Sequence, residues 1–168
     1  GPEMELNQPT AHVLKPTQIS EDQTGERNMT SPQPVDPVPA ATMLLLRDEP
    51  EFQVLMVKRH HQIDFASGAL VFPGGKPATG DDAAQWADHC AAWDTLEPTQ
   101  RTLRIAAVRE AYEEAGILLA DKSDGSAFEG SCDPASRKAV EQGELAFLDV
   151  VREADVQLRL DRLSDFAR

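Results

Sequence analysis

The segment Arg109-Glu110-Ala111-Tyr112-Glu113-Glu114-Ala115-Gly116-Ile117 holds the residues best suited to chemistry. On a helix, Glu110 and Glu114 are i,i+4 neighbours and Glu113 stands one turn from Glu110, so three carboxylates crowd one face. Unpaired, they repel one another. A hard divalent cation, Mg²⁺ or Mn²⁺, relieves that repulsion. Such ions take carboxylate oxygen and water, and they share their coordination sphere with substrate phosphates. Arg109 and Arg104 are near enough in sequence to orient the cluster by hydrogen bonds. The competing reading is a solvated acidic helix face, since Glu-rich helices are common. The full string Arg-Glu-x-x-Glu-Glu-x-Gly arises by chance in a chain of this length only about once in 10⁴, which favours the chemical reading.

Other segments carry weaker signals. Phe72-Pro73-Gly74-Gly75 combines an apolar strand end with residues that allow a sharp bend and a close backbone approach. Lys58-Arg59-His60-His61 is a cationic run at a strand end. It suits clamping an anionic substrate, or equally a charged edge that blocks sheet-to-sheet pairing. Zinc at His60 and His61 is disfavoured, because no third soft ligand lies nearby. Gly74-Gly75-Lys76 is not a phosphate-cradling P-loop, since Pro77 stands where Ser or Thr is needed and Leu70 where Gly is needed.

These residues must be positioned by a small set of elements. Ala40 to Leu46 reads as a buried strand, Gln53 to Arg59 as a second strand hairpinned to it, and Ala69 to Phe72 as a third. Residues 83–93 show apolar positions at three- and four-residue spacing after Asp81-Asp82 as candidate caps, which predicts an amphipathic helix packing Trp86, Trp93 and Cys90. A second helix is expected from Thr102 as N-cap to Gly116 as its C-terminal stop. Ile117 to Ala120 reads as a short strand and Ser123 to Gly130 as a loop. Asp133-Pro134 opens a third helix, interrupted at Gly143 and resumed from Leu145 to Ala154. Val156 to Leu160 alternates as a strand does.

The chain has 168 residues, with 16 Lys+Arg against 29 Asp+Glu and a net charge of −13. A field of that sign repels polyphosphate backbones, which argues against nucleic-acid binding. No run of apolar residues is long enough to span a bilayer, and no secretory signal pattern appears. Cys90 and Cys132 make neither a disulfide framework nor a metal pair, so a reducing, cytoplasmic setting is the simplest expectation. Residues 1–38 are polar and Pro-rich and read as a flexible leader. Its Gly1-Pro2 resembles the remnant left by protease removal of an expression tag. Residues 39–168 read as one domain.

Arg109 to Ile117 resembles the second half of the Nudix box, and Phe72-Pro73-Gly74-Gly75 resembles the strand and glycine pair that precede it in the Nudix hydrolases. The resemblance covers roughly residues 40–120. It implies an α+β domain, a Nudix-type α/β/α sandwich with a mixed sheet, and hydrolysis of nucleoside diphosphates linked to another moiety. It implies metal ligation of Mg²⁺ or Mn²⁺ by Glu110, Glu113, Glu114 and Gly75. It gives catalytic roles to Glu113, Glu114 and Arg109, and substrate contacts to Arg59, Lys58, Gly74 and Lys76. Two departures stand out. Counting back from Arg109, the family's Glu falls on Arg101 and its Gly on Thr95, and an insertion at about 77–100 separates Gly75 from the helix. That missing Glu commonly pairs with the box Arg, and Glu97 is the candidate replacement. An insertion of this kind resembles the coenzyme A diphosphatase branch. So do the intervals from Leu55-Met56-Val57-Lys58-Arg59-His60 through Gly68 to Phe72, although His60 and Asp64 depart from that branch's pattern. Coenzyme A or an acyl derivative is the substrate so implied. The alternative is a Nudix-like module that binds a nucleotide without turnover. Nudix domains usually continue past the box with more strands, so the chain is expected either to be truncated or to complete its sheet with another copy, as a homodimer.

Overall fold

The long helix α1 (Pro98–Ala115) organises the fold, and its ends are set by local chemistry. Pro98 occupies the first helical position, where its missing N–H is no loss. The Gln100 side chain accepts from the Glu97 backbone N–H at 3.3 Å. At the other end Gly116 adopts a left-handed conformation, φ 69°, and donates to the Tyr112 carbonyl. The helix therefore starts a turn before Thr102. The Thr102 hydroxyl instead donates back to the Pro98 carbonyl at 3.1 Å, as an interior helical position does. Ile105, Ala106, Val108, Ala111 and Tyr112 are buried, so the helix middle is enclosed.

The computed structural model describes residues 36–58, 68–128 and 132–166, within a compact unit running Asp36–Arg168. Most of the expected leader, and Arg59, His60, His61 and Asp64, lie outside the described residues. Six short strands precede α1: β1 (Ala41–Thr42), β2 (Leu46–Arg47), β3 (Gln53–Val54), β4 (Val57–Lys58), β5 (Leu70–Val71) and β6 (Gly74–Gly75). All pairings between these strands are antiparallel, β1 with β6, β2 with β3, and β4 with β5. The expected hairpin is thus present as β2–β3. The stretch Ala40 to Leu46 is not one buried strand. It divides between two ladders, and Met43 alone of its large residues is buried, while Leu44 and Leu46 are exposed. Gly74 and Gly75, expected as a bend, are themselves paired in register with Thr42 and Ala41.

The inserted segment does not form the amphipathic α-helix that its spacing predicts. It makes two 3₁₀ turns, Ala84–Asp88 and Trp93–Thr95, with Ala92 between them at φ 62°. Tertiary bonds override the periodicity. Leu158 N donates to His89 O at 2.8 Å and Ala91 N donates to Leu158 O at 2.9 Å. Cys90 thereby bridges in parallel to the strand β8 (Val156–Leu158). This isolated bridge is the parallel pairing among the described residues, whose four two-stranded ladders are all antiparallel. Asp81 does not cap this segment; its Oδ2 accepts from Ala78 N and its carboxylate serves another partner.

After α1 the chain forms β7 (Ala120–Lys122), α2 (Pro134–Glu141) and α3 (Phe147–Glu153), and β8 pairs antiparallel with β7. The strand expected at Ile117 starts only at Ala120. Asp133 caps α2 by accepting from Ser136 N at 2.9 Å, as its sequence predicts. Trp86 and Tyr112 both pack on Phe147, with ring centroids 5.7 and 5.5 Å apart. The insertion, α1 and α3 therefore share one core. No helix among the described residues is long and apolar enough to cross a membrane.

Candidate active site

Residues distant in sequence meet where α1 crosses the glycine strand β6. Glu110 packs directly on Gly75: a Cβ there would stand 2.6 Å from the Glu110 Cδ. One helical turn on, Glu114 Oε2 accepts from the Gly74 backbone N–H at 3.2 Å. Both glycines are needed for space rather than for a left-handed backbone. At Gly74 a Cβ would sit 2.7 Å from the Thr42 Cα, on the partner strand. The acidic helix face and the glycine pair are thus brought together.

Arg109 is the hub of the site. Its Nε donates to both oxygens of Asp81 at 3.2 Å, and its Nη1 donates to Glu110 at 3.0 Å and Glu113 at 2.8 Å. Its Nη2 donates to the Lys76 carbonyl at 2.8 Å, fastening the start of the insertion. Both members of the Arg109–Asp81 pair are buried. Burial alone would lower the Arg109 pKa, but the hydrogen bond to Glu113 and the charges of Asp81, Glu113 and Glu110 raise it overall, so it stays a cation. Burial raises the Glu110 and Glu113 carboxyls above their ordinary values, opposed by Arg109. Burial raises Asp81 too, opposed by the Ala78 N–H and by Arg109.

Asp81 is the functional partner that the sequence reading missed. It gives Arg109 an acidic partner from the insertion, with Arg101 at the position where the box pattern has its glutamate. Glu97 does not take that role; it precedes α1, three turns away. A second missed residue is Arg137 on α2. It donates from Nε to Tyr112 O at 3.0 Å and from Nη2 to Glu113 O at 2.8 Å, satisfying carbonyls at the end of α1. No local sequence signal marks either contact.

Of the other expected site residues, Lys58 is exposed on β4 opposite Leu70, and Lys76 is exposed, joining the site through its main-chain carbonyl. Arg59 lies outside the described residues. The donor types suit a hard cation: three carboxylates and the Gly75 carbonyl, set on a glycine cradle. As placed, Glu110 and Glu113 turn to Arg109 and Glu114 to Gly74. Among the described residues, no group of three or more His, Cys, Asp or Glu side chains converges on a point that would hold a metal ion.

The α+β fold is that of a Nudix hydrolase structure. The chain is similar to a NUDIX hydrolase structure from Alicyclobacillus acidocaldarius, with a TM-score of 0.58 and 24% identity over 72% of this chain and 56% of that one. Among curated proteins it is similar to the acyl-coenzyme A diphosphatase NUDT19 of Xenopus laevis, 27% identical over 41% of this chain. The match spans 26% of that protein's length and 56% of the solved structure's chain. No family model matches.

Proposed function

We propose that this chain is a metal-dependent hydrolase of the pyrophosphate bond in a nucleoside diphosphate linked to another moiety, with coenzyme A or an acyl-coenzyme A as the substrate. The observation that carries this reading is the seating of the acidic face of α1 on the glycine pair, Glu110 on Gly75 and Glu114 on the Gly74 N–H. The similarity to an acyl-coenzyme A diphosphatase supports the choice of substrate.

Glu110, Glu113, Glu114 and the Gly75 carbonyl would hold Mg²⁺ or Mn²⁺, which would supply neutralisation of phosphate charge and acidify a water molecule. Arg109 keeps Glu110 and Glu113 in place from the buried side, and the Glu110 carboxylate lies against Gly75. A carboxylate takes the proton of the attacking water as general base. We assign the substrate side to Gly74, Lys76 and Lys58, and to Arg59 from the sequence alone, because cationic side chains suit anionic phosphates. Water adds to one phosphorus and the P–O–P bridge breaks, giving 3′,5′-ADP and a 4′-phosphopantetheine portion.

The test is product release from coenzyme A, ADP-ribose, NADH and diadenosine polyphosphates with Mg²⁺ or Mn²⁺, read beside thermal shift with each metal. Turnover on coenzyme A and metal-dependent stabilisation, both lost in Glu114→Gln, are expected. No product from any substrate refutes the enzyme. A second reading, a nucleotide-binding module without turnover, is favoured by the turning of Glu110 and Glu113 toward Arg109 rather than toward one another. It predicts nucleotide stabilisation with no product.

A further inference from the structure

A cavity of about 580 Å³ lies between the inserted segment and the first turns of α1, a size suited to a small ligand. Pro39, Pro77, Trp93, Pro98 and Leu103 form the apolar part of its wall, with Thr99 and Thr102 among its polar members. Leu103 stands seven residues before Glu110, so both lie on one stripe of the helix, about 10 Å apart. The cavity therefore adjoins the acidic face along the same side of α1. Pro77 and Asp82, also in its wall, flank the Lys76 and Asp81 contacts of Arg109.

Arg101 gives this cavity its chemical character. Its guanidinium lies over the Trp93 ring, 4.6 Å from the centroid, and its Nε is shut away from solvent without a hydrogen-bond partner among the described residues. No described carboxylate pairs with it, in a chain of net charge −13. A guanidinium held over an indole still carries N–H donors in its plane, and those suit phosphate binding. A partly apolar wall with an aromatic ring and a cation over it fits a nucleoside that bears a phosphate, and Asp82 offers an acceptor to its hydroxyl or amino groups.

We propose that this cavity takes the nucleoside half of the substrate and that Arg101 binds a phosphate monoester carried on that half, apart from the pyrophosphate that is cleaved. The proposal rests on the hydrolase reading for the identity of the ligand as substrate, but its binding test does not require turnover. The probes are AMP, adenosine 2′,5′-bisphosphate and adenosine 3′,5′-bisphosphate, titrated calorimetrically in EDTA so that no metal contributes. The wild-type chain should bind at least one bisphosphate about tenfold tighter than AMP, the gain of one charge-assisted contact, and the tighter bisphosphate assigns the position of the phosphate. Arg101→Gln should bind the bisphosphates and AMP alike. Thr99→Trp, which fills the cavity from an exposed position, should weaken all three probes at least tenfold. It keeps the test open should Arg101→Gln misfold. Equal affinity for all three probes in the wild type, discrimination retained in Arg101→Gln, or unchanged affinity in Thr99→Trp overturns the proposal. Discrimination without turnover would sink the hydrolase reading and leave this one standing; turnover without discrimination would do the reverse.

Discussion

Replacing Asp81 by Ala is the sharpest perturbation of the site. The side chains of Asp81 and Arg109 are 3% and 7% exposed, so solvent screens their attraction little. Truncating one partner of such a buried pair costs about 3–5 kcal/mol, most of it from stranding the other charge. Here the guanidinium keeps Glu110 and Glu113, so the cost falls to the low end, about 3 kcal/mol. The Ala78 N–H loses its acceptor as well. For a domain of this size that corresponds to a fall in Tm of about 10 °C. Thermal and urea unfolding of the wild type, Asp81→Ala, Arg109→Met and the double variant give the coupling energy directly. If Asp81→Ala lies within about 0.5 kcal/mol of the wild type, the range of an ordinary surface change, the pair does not hold the site together as argued.

Gly74→Ala should destabilise by about 1–3 kcal/mol, because the atoms its Cβ meets are backbone of β1 and the strands must part. Gly75→Ala should cost less stability, since a carboxylate can swing aside, yet it displaces Glu110; equal losses of Tm for the two variants would contradict this. Burial pushes the Cys90 thiol up to about 12, so iodoacetamide at mildly alkaline pH should label Cys132 and spare Cys90 until the chain unfolds, as peptide mapping will report. The Ser136 N–H and hydroxyl hold the Asp133 carboxyl below its ordinary value. A depressed folded pKa contributes stability above the unfolded value of 3.8 that is lost as pH falls through the folded one. The Tm gap between the wild type and Asp133→Ala should be full near neutrality and close in acid; a gap independent of pH would refute the cap.

What the sequence made legible was local. The periodicity of Glu110, Glu113 and Glu114, the stop at Gly116 and the cap at Asp133 each depend on residues within about one turn, and each appears where it was expected. The glycine pair was legible as a place of close approach, though its pairing with β1 depends on a strand far upstream. Two readings failed for one reason. The apolar spacing of residues 83–93 predicted a helix because nothing nearby announces that His89 and Ala91 bond to Leu158. Asp81 passed as a helix cap because its partner lies 28 residues ahead. In both cases a long-range hydrogen bond in the folded chain outweighed a local preference.

The same long-range bond alters what the missing box carboxylate means. With Arg101 at that position, the arginine of the motif stood without its usual partner. Asp81 restores one from the insertion, which makes the insertion part of the site's support rather than an ornament on it. It also sharpens the electrostatics. Asp81, Glu110 and Glu113 are three carboxylates bonded to a single guanidinium, and Glu114 lies one turn beyond Glu110 on the Gly74 N–H, so Arg109 orients the acidic face without neutralising it. The negative excess borders the glycine strand. An excess of that kind opposes phosphate binding unless a cation accompanies it, so metal-dependent stabilisation tests the cation site itself, and product release then separates a hydrolase from a binding module.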